Sequence, residues 1–387
     1  MTATKLKVAI VGAGPGGLAA AIQFLRLPGV ELEVFEQARE LREVGAVSPC
    51  IQHAYHSNLQ GISINQNTWR LLRELGAASA LEQYTLRLPA GKSDHQQRNG
   101  RTGELLAESF TRENPDAPPR SRVLRTKLQS ALRSRVPDGL IKLSKKLAKI
   151  NETPAGVTLS FADGRTSGPF DLVVGADGIR SVVRGHMFPE HKLTYTGKVA
   201  FRVLVSQDRV DHIPGIPHSA TFWHTPDTHV YTDPLDNGLF EIATRAIESE
   251  EHGAKVSWGR TVDRSQVIHH YKDYHETVRA IIDVPRDGEW LEFAMFGGPR
   301  LASVTRGGRF VLTGDASHPL SGAFGSGAAF AFEDAYVLAR VLEYNKYDTA
   351  AALPLFDSIR APRYEKLACD SGLKYMLIPV RGARPRH

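Results

Sequence analysis

Cysteine is nearly absent: only Cys50 and Cys369 occur in 387 residues. Two such distant thiols exclude a disulfide framework and a paired-cysteine metal site, and they suit a reducing compartment. No uncharged apolar run reaches the roughly 18 residues of a membrane-spanning helix, so no stable membrane insertion is expected. Long blocks of like charge are missing too. Lys and Arg number 48 against 42 Asp and Glu, giving a net charge of +6 and a pI of about 9.2. A small cluster, Lys145, Lys146 and Lys149, reads as the solvated face of a strand. Without a nucleic-acid-binding motif, the excess charge suits an anionic cofactor or substrate and not a nucleic acid. Metal-ligand spacing is also lacking. His53 and His56 have no further ligand nearby, and His269, His270 and His275 read as helix-surface residues with no partner spaced to join them. No metal is expected. The first apolar strand starts at residue 7 and leaves no room for a leader, so the expected location is cytoplasmic.

What is present is ordinary for a soluble enzyme: 42% hydrophobic and 23% charged residues, in a chain long enough for two joined domains. The most informative stretch is KVAIVGAGPGGLAAAIQFLRLPGVELEVFEQ, residues 7–37. A buried parallel strand, Val8 to Val11, runs into Gly12-x-Gly14-x-x-Gly17 and an Ala/Leu-rich helix reaching about Leu27. A second strand then ends at Glu36. Gly12 allows the tight turn, Gly14 lets the backbone approach a pyrophosphate, and Gly17 lets helix and strand pack closely. The helix N-terminus supplies N–H donors and a favourable dipole for phosphates. Glu36 stands 19 positions after Gly17, near the spacing of an acid that binds a ribose hydroxyl. Which dinucleotide binds is left open by this unit alone.

Arg39 and Arg42 follow, either able to reach the cofactor phosphates. Residues 47–60, VSPCIQHAYHSNLQ, have no clear period. Removing them joins a turn to GISINQNTWRLLRELG, which reads as a strand (Ile62 to Ile64) and a helix capped by Asn67 or Thr68, with Leu71, Leu72 and Leu75 on one face. Valine codons begin GT and one glutamine codon ends AG, so the segment reads either as a retained intron translated in frame or as a surface loop. Residues 88–120 read as a loop and edge-strand excursion, with a strand near Leu105 to Phe110. Residues 120–136 read as an amphipathic helix burying Leu124, Leu128, Ala131, Leu132 and Val136, with Arg122 and Arg125 at its start. Residues 140–176 alternate in short strands, with a hairpin at Ala162-Asp163-Gly164. The run ends in FDLVVGADGIRSVVR, where Asp177 follows a buried strand between two glycines and is well placed to meet a ligand. Residues 195–300 read as an antiparallel sheet with a charged, helical middle. Finally, GRFVLTGDASHPLSGAFGSGAAFAFEDAYVLARVLE (308–343) sets Asp315 at a strand end before a glycine-rich loop and a helix carrying Glu333 and Asp334.

The ordered set GxGxxG with Glu36, GADGIRSVVR and GDASHP resembles the class A FAD-dependent aromatic hydroxylases, the para-hydroxybenzoate and salicylate hydroxylase family, in a fungal-type form. The resemblance covers about residues 5–365. It implies an α/β fold: a Rossmann-like FAD-binding domain with an inserted mixed or antiparallel sheet domain for the substrate. The implied division is 1–87, 121–190 and 301–370 for the FAD domain, 88–120 as an excursion toward the substrate domain, 191–300 as the substrate sheet, and 371–387 as a short irregular tail. Gly12, Gly14 and Gly17 would hold the pyrophosphate of non-covalent FAD and Glu36 the adenosine ribose. Arg42 and Arg125 match contacts to the diphosphate or ribityl chain. Asp177 matches a residue associated with FAD and NAD(P)H, and Asp315 one that holds ribityl hydroxyls. Pro319 and the Gly322–Gly327 loop, including Gly325, match the wall beside the flavin ring. A single GxGxxG agrees with one Rossmann site, for FAD, and argues against a simple NAD dehydrogenase.

The implied chemistry is reduction of the flavin by NADPH or NADH, addition of O2 as a C4a-hydroperoxide, and OH transfer to a phenolic or polyketide-like aromatic, in a monomer or homodimer. Arg202, in VAFRVLV, is the candidate cation beside the phenol, against a sheet-surface role; Tyr231, in HVYTDPL, is the candidate hydrogen-bonding group, against a packed tyrosine. His224 and His229 are lesser candidates. Two features depart from the family: 47–60 split an otherwise unbroken segment, and after 356–367 members continue for several tens of residues where this chain has a short basic tail. Both read as marks of an imperfect gene model or a diverged copy. Another flavoprotein oxidoreductase of the same fold (epoxidase, dehydrogenase or oxidase) and an inactive flavin-binding relic therefore stand as alternatives.

Overall fold

The structure is a computed structural model, and it describes residues 5–41, 61–84, 91–111, 121–235, 238–255, 259–318 and 327–370. Arg42, the 47–60 segment, Pro319, Gly325 and the 371–387 tail lie outside the described residues.

In chain order the elements are β1 (Leu6–Val11), α1 (Pro15–Phe24), β2 (Val30–Phe35), β3 (Gly61–Ile64), α2 (Gln66–Glu74), α3 (Ser79–Glu82), β4 (Ser93–Asn99), β5 (Leu105–Phe110), β6 (Ser121–Leu124) and α4 (Arg125–Arg133). Next come β7 (Ile141–Lys142), β8 (Leu147–Thr153), β9 (Gly156–Phe161), β10 (Thr166–Phe170), β11 (Leu172–Gly175), α5 (Val182–Met187), β12 (Thr194–Ser206), β13 (Ala220–His224), β14 (His229–Leu235) and β15 (Leu239–Ile247). The last are α6 (Glu250–Lys255), β16 (Arg260–Val262), α7 (Arg264–Ile268), α8 (Glu276–Asp283), β17 (Trp290–Gly297), β18 (Thr305–Arg306), β19 (Phe310–Leu312), α9 (Gly327–Tyr344) and α10 (Thr349–Asp370). No described helix is long and apolar enough to cross a membrane.

The chain divides into two units: Met1–Leu41 with Val136–Thr196 and Phe296–His387, and Arg42–Arg135 with Gly197–Met295. The division falls differently from the sequence-based boundaries, since 61–84 and 121–135 group with the second unit. The reason is local: β3 and β6 pair with each other, Ile62 opposite Val123, and Arg122 of β6 ion-pairs with β14 and β15 of the same unit.

The first unit holds a six-stranded sheet in the order β18-β19-β11-β1-β2-β7, parallel except for β18. Its central strands are apolar throughout because both faces are covered: Val8, Ala9, Ile10, Leu172, Val173 and Val174 are fully buried. An antiparallel sheet, β8-β9-β10, packs onto it through Phe35, whose ring lies 4.8 Å from Phe161 and 5.9 Å from Phe170. The register sets Val11, Gly175 and Leu312 level on the neighbouring strands β1, β11 and β19. Three motifs far apart in sequence therefore leave the sheet side by side at its carboxyl end.

The second unit holds an eight-stranded sheet, β16-β17-β12-β15-β14-β13-β4-β5, with β13 and β4 parallel and β12, β15, β14 and β13 antiparallel in turn. The period of two sorts its faces. Phe201, Val203, Phe240, Ile242 and Trp223 form the apolar side, covered by the α7–α8 segment, where His270 lies 5.6 Å from Phe201 and His275 stacks on Trp223 at 6.4 Å. Arg202, Tyr231, Asp233, Glu241 and Arg245 occupy the other face by register.

Two local expectations are corrected. Residues 121–124 are strand, so the expected 120–136 helix starts at Arg125; Leu124 still lies buried. A stretch such as SRVL fits either period, and pairing with β3 decides it. The cap of α2 is Asn65, not Asn67 or Thr68: its side chain accepts from the Thr68 N–H at 2.9 Å. The hairpin at Ala162-Asp163-Gly164 forms as read, the Gly164 N–H bonding Phe161 at 3.0 Å.

Candidate active site

At the end of β1 the chain turns with Gly12 at φ +104°, a left-handed backbone that other residues resist. Its N–H bonds the Phe35 carbonyl at 2.7 Å. A Cβ on Gly17 would stand 1.9 Å from the Gly12 carbonyl oxygen, so only glycine lets α1 start this close to the turn. At Gly14, which caps α1, a Cβ would meet nothing within 4 Å. No side chain caps α1, and its first turn holds no acid. Among the described residues, then, no side chain caps the N-terminal N–H groups of α1, which suits them to an external anion. Glu36, at the end of β2, accepts from the Ala13 N–H at 2.7 Å and the Ala38 N–H at 2.8 Å, which ties it to the same turn.

Beside it, β11 delivers Asp177. Its carboxylate accepts from the Ser181 hydroxyl at 2.5 Å and from the N–H groups of Val182 and Val183 at 2.7 and 3.2 Å. Asp177 therefore sits where expected, and it also serves the start of α5. Burial pushes its carboxyl pKa up, opposed by the hydrogen bonds from Ser181, Val183 and Val182. Arg184 of α5 reaches on to the next motif and donates to the Ala316 carbonyl at 2.9 Å and the Asp315 carbonyl at 3.4 Å. Burial lowers its pKa, while the charges of Asp177 and Asp315 oppose that.

From β19 the chain makes a tight turn, Gly314–Ala316, closed by the N–H groups of Ser317 and His318 on the Gly314 carbonyl at 2.9 and 3.0 Å. Gly314, Ala316, Ser317 and His318 are buried, and Asp315 alone in the turn is exposed. Its carboxylate accepts no hydrogen bond from the described residues. The first unit thus offers an uncapped helix N-terminus for phosphates, a carboxylate at the end of β2, and an outward carboxylate for hydroxyls. That donor and acceptor set fits FAD.

In the second unit, one rung of the sheet runs Arg202, Ala243, Tyr231, Phe222, Gln97 across β12, β15, β14, β13 and β4. Arg202 and Tyr231 flank the small Ala243, about 10 Å apart by strand spacing. The Phe222 and Tyr231 rings lie 4.6 Å apart. Tyr231 is buried and donates its hydroxyl hydrogen to Asp233. Arg122 of β6 lies 3.1 Å from Asp233, pairs with Glu241, donates to the Ser63 hydroxyl at 3.0 Å, and sets its guanidinium 4.9 Å from the Tyr231 ring centre. Burial, with the like charges of Arg122, Arg245 and Arg125, pulls the pKa of Arg202 down to about 10. Across β14 and β15, His229 is opposite Arg245. Burial, then Arg245, His224, Lys198 and Arg202, lowers His229 to about 3 and keeps it neutral. At the far end His224 bonds Gln97, which bonds His95.

A model of the FAD binding domain family matches residues 5–369. The chain is 31% identical over 367 residues to the 3-amino-4-hydroxybenzoate 2-monooxygenase PtmB3 of Streptomyces platensis, covering 93% of this chain and 85% of that one. It is 27% identical to the salicylate hydroxylase of Pseudomonas putida, covering 98% and 88%. The fold matches HpxO of Klebsiella pneumoniae, solved with FAD and uric acid, at a TM-score of 0.75 and 22% identity over 96% of this chain and 88% of that one. The chain belongs to the class A FAD-dependent aromatic hydroxylases. It is a flavin-dependent monooxygenase.

Of the residues carried over from this hydroxylase family, the fold brings Gly12, Gly14, Gly17, Glu36, Asp177 and Asp315 to one end of one sheet. Arg125 is the first residue of α4, in the second unit, where its charge acts on Arg202. The sequence assigns no role to several residues that the fold sets beside the candidates: Arg122, Asp233, Glu241 and Arg245 on the polar face, and Arg184, His318 and Asp334 around the Gly314–Ala316 turn. The spacing Tyr231, Asp233 (i, i+2) was the one local signal for the first group. The histidines of the helical segment also differ from expectation. The fold brings Glu248 to His270, Nε2 to carboxylate 3.0 Å, and the ligand-type atoms of Glu248, His269 and His270 lie within 4.8 Å of one another.

Proposed function

We propose that this hydroxylase uses NADPH or NADH and O2 to add a hydroxyl to an aromatic ring that carries an anionic substituent, a carboxylate or phenolate. The balance is ring–H + O2 + NAD(P)H + H⁺ giving ring–OH + H2O + NAD(P)⁺. Bound FAD supplies the redox chemistry and the oxygen transfer.

The observation that carries the reading is the rung Arg202–Ala243–Tyr231. Burial first, and then the like charges of Arg122, Arg245 and Arg125, depress the pKa of Arg202, and an anion beside it offsets both. Ala243, with only a methyl group, stands between the cation and the phenol. Tyr231 gives its hydrogen to Asp233, so its oxygen faces a substrate hydroxyl as an acceptor. A proton from a substrate phenol then has a path through the Tyr231 hydroxyl to the Asp233 carboxylate, while Arg202 stabilises the phenolate that remains. His229, held neutral, adds no competing charge. The names of the relatives point the same way: the substrates they state are an aminohydroxybenzoate and salicylate.

Arg202→Ala is expected to raise KM for a hydroxybenzoate about 30-fold or more, the loss of one charge-assisted hydrogen bond of about 2 kcal/mol, with FAD content unchanged. Steady-state NAD(P)H oxidation across salicylate, 3-amino-4-hydroxybenzoate and plain phenol checks it. Equal KM values for wild type and variant, or no preference for the acids over phenol, contradict the reading.

A further inference from the structure

We infer that Asp334 is a positioning residue of the FAD site: from α9 it fixes the Gly314–His318 turn so that Asp315 presents its carboxylate to the cofactor. The inference rests on the family's FAD binding and not on the proposed substrate.

Asp334 is fully buried, and both its oxygens are spoken for. Oδ2 accepts from the Gly314 N–H at 2.9 Å and faces His318 Nε2 at 3.0 Å. Oδ1 accepts from Arg360 Nε at 2.7 Å and from the Tyr364 hydroxyl. Gly314 and His318 bracket Asp315, one residue before it and three after. Opposite them, Arg184 holds the carbonyls of Asp315 and Ala316. An anion thus binds the donor groups of the turn and a cation its acceptor groups. Between these two grips Asp315 is the exposed residue among buried neighbours. A buried carboxylate aimed at the turn's own N–H is an expensive way to pack α9, which apolar residues could do. Its return is the fixed direction of Asp315. The contacts Arg360 makes to Glu333, at 2.7 Å, and to the Phe330 carbonyl, at 3.3 Å, hold the opposite side of Asp334 in place.

The test is a double-mutant cycle on FAD affinity, read by flavin fluorescence on titrating FAD into apo-protein, with circular dichroism and thermal melts as a check of folding. Asp315→Asn is expected to weaken FAD at least tenfold. Asp334→Asn is expected to weaken it at least fivefold when Asp315 is present, and less than twofold when Asp315→Asn is already in place. A purely structural Asp334 gives the same fold loss in both backgrounds, and that result overturns the inference. So does an unchanged Kd for Asp334→Asn or for Asp315→Asn. Should Asp334→Asn not fold, His318→Phe runs the same cycle: it keeps the ring against Tyr364, 4.4 Å away, and deletes the contact to Asp334. At least a threefold loss that disappears in the Asp315→Asn background supports the role; an additive loss contradicts it. Failure of the wild-type chain to bind FAD is a separate result, which overturns the FAD site itself.

Discussion

Tyr231 is the residue on which the two candidate roles of its strand meet. Its ring packs against Phe222 and under the guanidinium of Arg122, while its hydroxyl is turned to Asp233. Packing and chemistry are therefore not alternatives here: the buried ring orients a hydroxyl whose hydrogen is committed to Asp233. In Tyr231→Phe the ring packing persists and the path from a substrate phenol to Asp233 is cut. Loss of a positioned proton acceptor typically costs about 100-fold, so kcat is expected to fall by roughly that factor, with KM for the acid changed less than threefold because Arg202 still binds it. Rapid-mixing and steady-state kinetics on the same preparation check this. Retention of full kcat removes Tyr231 from the chemistry. That Arg202 and Tyr231 lie on strands was legible because both sit in short sequences that read as strands. Arg122 was seen only as an arginine near a helix start. Its partners, Asp233 and Glu241, lie more than a hundred residues away, and no local pattern couples them.

At the level of elements, the candidate FAD site is built from three strand ends at one level. The glycine turn after β1, the Asp177 turn after β11 and the Asp315 turn after β19 are each recognisable in sequence. In each, the backbone must bend sharply after an apolar strand, and only a few residue types allow it. What sequence could not show is how the turns brace one another: Glu36 on the Ala13 N–H, Arg184 from the second turn to the third, Asp334 from α9 onto Gly314. The misread helix start at 120–124 has a similar cause, since pairing of β6 with β3 overrides a pattern that also suits a helix. The buried Asp334 group has a consequence for acid stability. Burial works against its charge, but His318, Arg360 and Tyr364 outweigh that and hold its pKa below the ordinary carboxyl range. A depressed folded-state pKa gives stability that is present above the unfolded-state value, near 4, and is lost as pH falls through the folded-state value. Melting curves between about pH 6 and pH 3 are therefore expected to show a smaller acid-side drop in Tm for Asp334→Asn than for wild type. Parallel pH profiles for the two proteins contradict an ionised Asp334.

On the scale of the whole molecule, the chain folds as two units of different character. The first carries every described residue of the dinucleotide motifs, and its parallel sheet is the part most visible from sequence. The second offers a large mixed sheet, one face apolar and covered by the α7–α8 segment, the other bearing a group of arginines around one tyrosine. The row Arg202, Ala243, Tyr231, Phe222, Gln97 is set by register across five strands, which no local stretch of sequence shows. Membership of the aromatic hydroxylase family gives the cofactor and the reaction class. The polar face is what narrows the proposed substrate to an aromatic acid. The most direct measurement of that claim is the incorporation of ¹⁸O from ¹⁸O2 during turnover of NAD(P)H with salicylate or 3-amino-4-hydroxybenzoate, analysed by mass spectrometry alongside hydrogen peroxide release. One ¹⁸O atom in the product per NAD(P)H consumed, with little peroxide and with phenol a much poorer substrate, is the expected result. Consumption of NAD(P)H entirely to peroxide, with no ¹⁸O in any aromatic acid offered, would contradict it.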